Sequence, residues 1–241
     1  MPFRLLFILG LIFGFAQLVQ AQEARIQVTK VKPDLYVYTS YGTFNGEKVP
    51  ANGLIISTTD SVVLIDTPWD DPQTEQVLTW VAKNLKKPVT HCIVTHAHQD
   101  RMGGIAALQK QKVKVWSTAL TSKKAFEQGL GNPSPVLPPT DTTFTIGRTE
   151  IEVYFPGAGH VPDNLVVWLP ETKLLAGGCL VKAEDAKNLG NVAEANLTAW
   201  PEAIRHVLFR YPDAAVVVPG HGPLSDNKAL HHTLKLLLQR K

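Results

Sequence analysis

The run Cys92-Ile93-Val94 passes straight into Thr95-His96-Ala97-His98-Gln99-Asp100, so two imidazoles and a carboxylate arrive where a short apolar strand ends. Gly103-Gly104 then turns into Ile105-Ala106-Ala107-Leu108, which reads as a helix. Neutral imidazole is the commonest zinc ligand, and a catalytic zinc keeps three protein ligands with one position left for water. His96 and His98 supply two of the three. Asp100 is too near in sequence to close easily on the same ion, so it is expected to serve a second one.

Three later turns carry the missing donors: Gly157-Ala158-Gly159-His160, Gly177-Gly178-Cys179 and Pro219-Gly220-His221. Each lies beside glycine, which lets the backbone come close to an ion. His96, His98 and His160 then make a three-imidazole site, and Asp100, Cys179 and His221 a second one. The first leaves a zinc its full charge and acidifies a bound water, making hydroxide available. The second carries two anionic ligands and suits a departing nitrogen. His91, His206, His231 and His232 receive no role. Of the two cysteines, Cys92 lies in the apolar strand and reads as core, whereas Cys179 reads as a thiolate ligand. A Cys92–Cys179 disulfide is the competing reading in an exported protein.

Strands are expected over 26–31, 35–39, 54–57 and 62–65, a helix over 76–85, a helix over 105–110, a strand over 113–116 and a helix over 122–128. Prolines at 133, 135, 138 and 139 mark a linker. Strands at 142–146, 149–155, 165–169 and 173–175, a helix over 203–210, a strand over 214–218 and a helix over 229–238 complete the chain. Strands interleaved with helices, twice over, predict an α/β (α+β) chain with two sheets packed face to face and helices outside. Ser40 to Gly53 reads as a glycine-punctuated hairpin loop. Phe44 there either touches substrate from a mobile flap or is a tucked aromatic of a surface turn.

Met1 to Ala21 has one charge, Arg4, an apolar stretch from Leu5 to Phe15, and the small-residue end Val19-Gln20-Ala21. That is a signal peptide, the stretch being short of the roughly 20 residues that span a bilayer. A domain over 22–241 follows, expected in the periplasm with no membrane anchor. The 241 residues are 44% hydrophobic and 19% charged, enough for a substantial core. Lysines and arginines are scattered or paired, as at Lys86-Lys87 and Lys123-Lys124, which argues against nucleic acid as a partner. A monomer is expected.

His96-Ala97-His98-Gln99-Asp100, His160, Cys179 and His221 resemble the metallo-β-lactamases, subclass B1. The likeness extends to Asp66-Thr67-Pro68-Trp69, Asp163-Asn164, Gly178-Cys179-Leu180-Val181-Lys182, Leu189-Gly190-Asn191 and Pro219-Gly220-His221. It implies a four-layer αβ/βα sandwich, two zinc ions per chain and hydrolysis of penicillins, cephalosporins and often carbapenems, which confers antibiotic resistance. By the same resemblance Lys182 would pair with the β-lactam carboxylate, Asn191 would help hold the carbonyl oxygen, and Asp100 would orient the hydroxide besides binding metal. Asp66 and Arg101 would support the ligands from behind, and Trp69 would wall the groove. The chain departs from the pattern at Val161, where many relatives carry a hydroxyl residue. The competing functions are another hydrolase of this fold, on thioesters or lactones, and a binding protein with structural zinc.

Overall fold

A computed structural model of the chain describes residues 24–138 and 141–239. The expected signal peptide, and Pro139 of the linker, lie outside the described residues. Eleven strands and six α-helices occur in the order β1 (Gln27–Lys32), β2 (Leu35–Phe44), β3 (Glu47–Ser57), β4 (Val62–Ile65), α1 (Asp71–Asn84), β5 (Val89–Ile93), α2 (Gln99–Met102), α3 (Ile105–Lys110), β6 (Lys114–Trp116), α4 (Ala119–Glu127), β7 (Thr142–Ile146), β8 (Thr149–Tyr154), β9 (Val166–Leu169), β10 (Leu174–Gly178), α5 (Trp200–Arg210), β11 (Val216–Pro219) and α6 (Lys228–Gln239). One sheet runs β1 to β6 in sequence order, and the other runs β11-β10-β9-β8-β7. In each, the pairs are antiparallel until helices intervene, after which β4, β5, β6 and β10, β11 pair in parallel.

Side-chain alternation decides the layers. In β3 and β4, Leu54, Ile56, Val63 and Ile65 face the second sheet, where they meet Val153, Val167 and Leu174. Their neighbours Ile55, Val62 and Leu64 face outward onto Val77, Val81, Ile105 and Leu108 of the helices. A strand buried on both faces must be apolar throughout, hence the unbroken run Val62-Val63-Leu64-Ile65. Trp200, Ile204, Val207, Leu230 and Leu237 cover the outer face of the second sheet. The result is the expected four-layer αβ/βα sandwich. Cys92 sits in the first outer layer and both cysteines are free, which removes the disulfide reading.

Residues 40–53 are not a loop. β2 and β3 stay paired from Leu35↔Ile56 out to Phe44↔Glu47, closed by Asn45 and Gly46, both at positive φ (51° and 81°). An Asn-Gly pair in that conformation is the turn whose twist matches the flanking strands, so pairing runs to the tip despite the polar composition. The first helix also begins earlier than its apolar spacing suggests. Asp70 Oδ1 accepts the Gln73 N–H at 2.8 Å, capping the helix, and Pro72 fits its first turn. Among the described residues no helix is long and apolar enough to cross a membrane.

Candidate metal centre

Every donor singled out from the sequence follows the carboxyl end of a strand: His96 to Asp100 after β5, His160 after β8, Cys179 after β10 and His221 after β11. Five of the six line one cavity, and His96 lies buried directly behind His98 and His160. Nε2 of His96 lies 3.1 Å from Nδ1 of His98, which is 3.3 Å from Nε2 of His160. The three rings stand nearly perpendicular to one another, with interplanar angles of 80°, 79° and 81°. Tetrahedral zinc with nitrogen ligands at 2.0–2.1 Å sets those nitrogens about 3.3 Å apart, so the spacing fits an ion at their common focus. Burial, reinforced by the neighbouring imidazoles, pulls His96 well below the ordinary histidine range. His160 is lowered by burial and then by Lys182 and His98. Burial thus favours the neutral, metal-binding form at His96 and His160.

The second set is equally tight. Asp100 Oδ2 lies 3.1 Å from His221 Nε2 and 3.4 Å from Cys179 Sγ, and that sulfur is 3.3 Å from His221 Nε2. The His221 Nδ1–H donates to the Pro50 carbonyl at 2.6 Å, which turns Nε2 toward the other two donors. Although burial opposes it, Cys179 and Asp100 lift the His221 imidazole to about 10, so this group of donors attracts positive charge. A metal ion meets that demand. The approach is possible because residue 220 is glycine, where a Cβ would come within 2.7 Å of the Cys179 sulfur.

Arg101 lies beneath this set, fully buried. Its Nε and Nη2 donate to Asp100 Oδ2 at 3.0 and 2.8 Å, Nη1 to the Asn52 carbonyl at 2.6 Å and Asp66 Oδ2 at 3.3 Å, and Nη2 to the Gly220 carbonyl at 2.8 Å. Asp66 ends β4 at φ 64° and accepts the N–H and hydroxyl of Thr95 at 2.7 and 3.0 Å, fixing the residue before His96. Burial pushes its carboxyl up to about 6 against the pull of Arg101 and Thr95. Asp163 Oδ2 accepts the Ala97 N–H at 3.0 Å, and Asn164 bridges the Val161 N–H and the Gly157 carbonyl. The segment around His160 is thus stitched to the segment around His96. Nδ1 of His160 is buried without a hydrogen-bond partner, and Val161 beside it has no hydroxyl to offer one.

Residues 46–221 match the family model described as the metallo-β-lactamase superfamily. The chain belongs to that superfamily. It is 45% identical over 219 residues to a metallo-β-lactamase type 2 of Bacillus sp. (strain 170), covering 91% of this chain and 85% of that one. Among solved structures it is similar to a metallo-β-lactamase from Pontibacter korlensis, with 51% identity, a TM-score of 0.86, and coverage of 89% of this chain and all of that one. It is also similar to the metallo-β-lactamase FIM-1 from Pseudomonas aeruginosa in its mono-zinc form, at 34% identity and TM-score 0.83 over 90% of this chain and 96% of that one.

The cavity above the donors has a volume of about 1060 Å³. Phe44 and Val49 line it from the β2–β3 hairpin, Trp69 from the connection between β4 and α1, and Val181, Lys182 and Asn191 from the segment after Cys179. Trp69 lies against Gly42, where a Cβ would fall 2.1 Å from the indole, so the hairpin rests directly on the ring. Lys182 is buried with its ammonium 5.3 Å from the Trp200 ring centre. Asn191 Oδ1 accepts the Ala193 N–H at 3.1 Å, leaving Nδ2 as its donor end.

Glu194 supports the first donor set without belonging to any motif. Its Oε1 lies 3.1 Å from His98 Nε2, and its other oxygen is paired with Lys124. Lys124 and His98 hold the Glu194 carboxyl below its usual range although burial opposes them. A carboxylate on the far nitrogen of a ligand histidine fixes the tautomer that leaves Nδ1 free to coordinate. Glu194→Ala is therefore expected to weaken zinc binding about 10- to 100-fold, measured by competition with a chromophoric chelator. Unchanged affinity would show that His98 needs no such support. Nothing in the local spacing marks this acid, 96 residues from the ring it touches.

Proposed function

We propose that the chain is an exported, monomeric zinc-dependent β-lactamase that opens the four-membered amide of penicillins, cephalosporins and carbapenems, with two zinc ions per chain, and so confers resistance. The observation that carries this reading is the pair of adjoining donor clusters on the floor of one groove, with a buried lysine on its wall. His96, His98 and His160 would hold one ion, and Asp100, Cys179 and His221 the other. The apolar stretch at the N-terminus supports export to the periplasm. FIM-1 was solved with a single zinc, so the count of two rests here on the Asp100, Cys179 and His221 distances.

When bound, the ions supply Lewis acidity and an activated water. The chain's own residues do the rest. Lys182 would take the substrate carboxylate, its ammonium fixed by burial and by the Trp200 face. Asn191 Nδ2 would donate to the lactam carbonyl oxygen as charge builds on it. Asp100, anchored by Arg101, would accept a hydrogen bond from the attacking water and so aim its lone pair at the carbonyl carbon. Phe44 and Trp69 would pack against the apolar parts of the antibiotic and exclude bulk solvent. As the C–N bond breaks, the nitrogen takes a proton and the carbonyl carbon keeps the water oxygen.

The decisive experiment uses protein purified from the periplasmic fraction, with metal counted per chain and hydrolysis of nitrocefin and imipenem followed by absorbance. Both substrates are expected to be hydrolysed, hydrolysis to vanish on exhaustive chelation, and activity to return with zinc. Turnover undiminished by chelation, or none by zinc-loaded protein, would overturn the reading.

A further inference from the structure

Excluding the metal-binding set, the groove carries three charged residues: Lys182, Lys187 and Glu47. The acid is the odd one, and the hairpin register dictates where it points. Glu47 pairs directly with Phe44 across the Asn45-Gly46 turn, so the two side chains leave the same face of the ribbon with Cβ atoms about 5 Å apart. Val49, two residues on, shares that face and lines the groove with them, while Gly42 of the same face rests on Trp69. Lys48 lies on the other face, its ammonium 4.3 Å from the Tyr41 ring centre. Among the described residues Glu47 makes no ion pair within 4.0 Å. The hairpin thus presents to the groove an apolar plate bearing one uncompensated anion, and turns its cation away.

We propose that Glu47 is a specificity-determining residue that favours β-lactams with a cationic acyl side chain over those with an anionic one. The inference rests on the β-lactamase reading above. In a penicillin the carboxylate and the acyl side chain leave opposite ends of the fused rings. With the carboxylate held at Lys182, the acyl chain extends away from that wall, toward the hairpin. A charged substituent there meets Glu47 across water, an interaction that is modest, screened by salt and expressed in binding more than in chemistry.

The test uses three penicillins that share the phenylacetyl scaffold: ampicillin with an added ammonium, benzylpenicillin with no added charge, and carbenicillin with an added carboxylate. The zinc-loaded enzyme is assayed at pH 6.5, where the ammonium is largely protonated. Glu47→Gln is expected to lower the ampicillin-to-carbenicillin ratio of kcat/KM about threefold to tenfold, through KM, with Glu47→Lys moving it further and benzylpenicillin nearly unaffected. At 1 M NaCl the change should largely disappear. Lys48→Gln, on the outer face, should leave the ratio as it is. The inference is overturned if both Glu47 variants keep the wild-type ratio, or if Lys48→Gln shifts it equally. Hydrolysis of none of the three by zinc-loaded wild type is a separate outcome, which overturns the β-lactamase reading and this inference with it.

Discussion

Arg101→Ala is expected to lower stability by about 3–5 kcal/mol, the range found when one partner of a buried ion pair is removed. The guanidinium is wholly buried between Asp66 and Asp100 and also donates to the carbonyls of Asn52 and Gly220, so its loss takes the counter-charge from two buried acids and a hydrogen bond from each of two carbonyls at once. A domain of this size has only about 5–15 kcal/mol to lose. Urea unfolding of metal-free protein should show a midpoint shifted accordingly. The shift should be smaller with zinc present, because an ion at Asp100 neutralises one stranded charge and binds only the folded chain. Arg101→Lys should fall between, since an ammonium restores charge but cannot reach four acceptors in a plane. An alanine variant that unfolds at the wild-type urea concentration would show that the two carboxylates do not depend on the guanidinium.

On the proposed two-zinc reading, Cys179→Ser is expected to reduce bound zinc from two ions per chain to one and hydrolysis by about 10²-fold or more, a few kcal/mol of transition-state stabilisation. Serine has nearly the volume of cysteine, so the packing against Gly220 is kept, but its hydroxyl stays neutral where a thiolate would ligate. The second donor set then has one anion instead of two, while the three imidazoles on the other side are untouched. Metal analysis after gel filtration reads the count, and circular dichroism separates loss of metal from loss of fold. Two ions and full activity in the variant would place the second ion elsewhere.

Particular residues explain how far the chain could be read in advance. The donors were legible because each follows a run that reads as a strand, and the three later ones lie beside glycine. The two sheets and their outer helices were legible for the same reason, from strands such as Val62 to Ile65 that are apolar on both faces. The long β2–β3 ribbon was not, because Thr43, Asn45, Glu47 and Lys48 weigh toward loop; only the Asn45-Gly46 pair carried the opposite signal. Glu194 was invisible because its partnership with His98 spans two segments that no periodicity connects. Asn52 was missed likewise. Its backbone N–H and side chain reach the carbonyls of Gly220, Pro219 and Gly222, tying β3 to the loop that bears His221.

That tie across the molecule joins donors from the two halves of the chain. Neither half of the polypeptide holds a complete set: His96, His98 and Asp100 come before the proline-rich middle, and His160, Cys179 and His221 after it. A growing chain stopped short of residue 221 lacks a ligand and the strand that seats it. The complete set exists only where the two sheets have closed on each other, so an ion held by all six donors would bind the folded sandwich alone and add its binding free energy to the stability of that state.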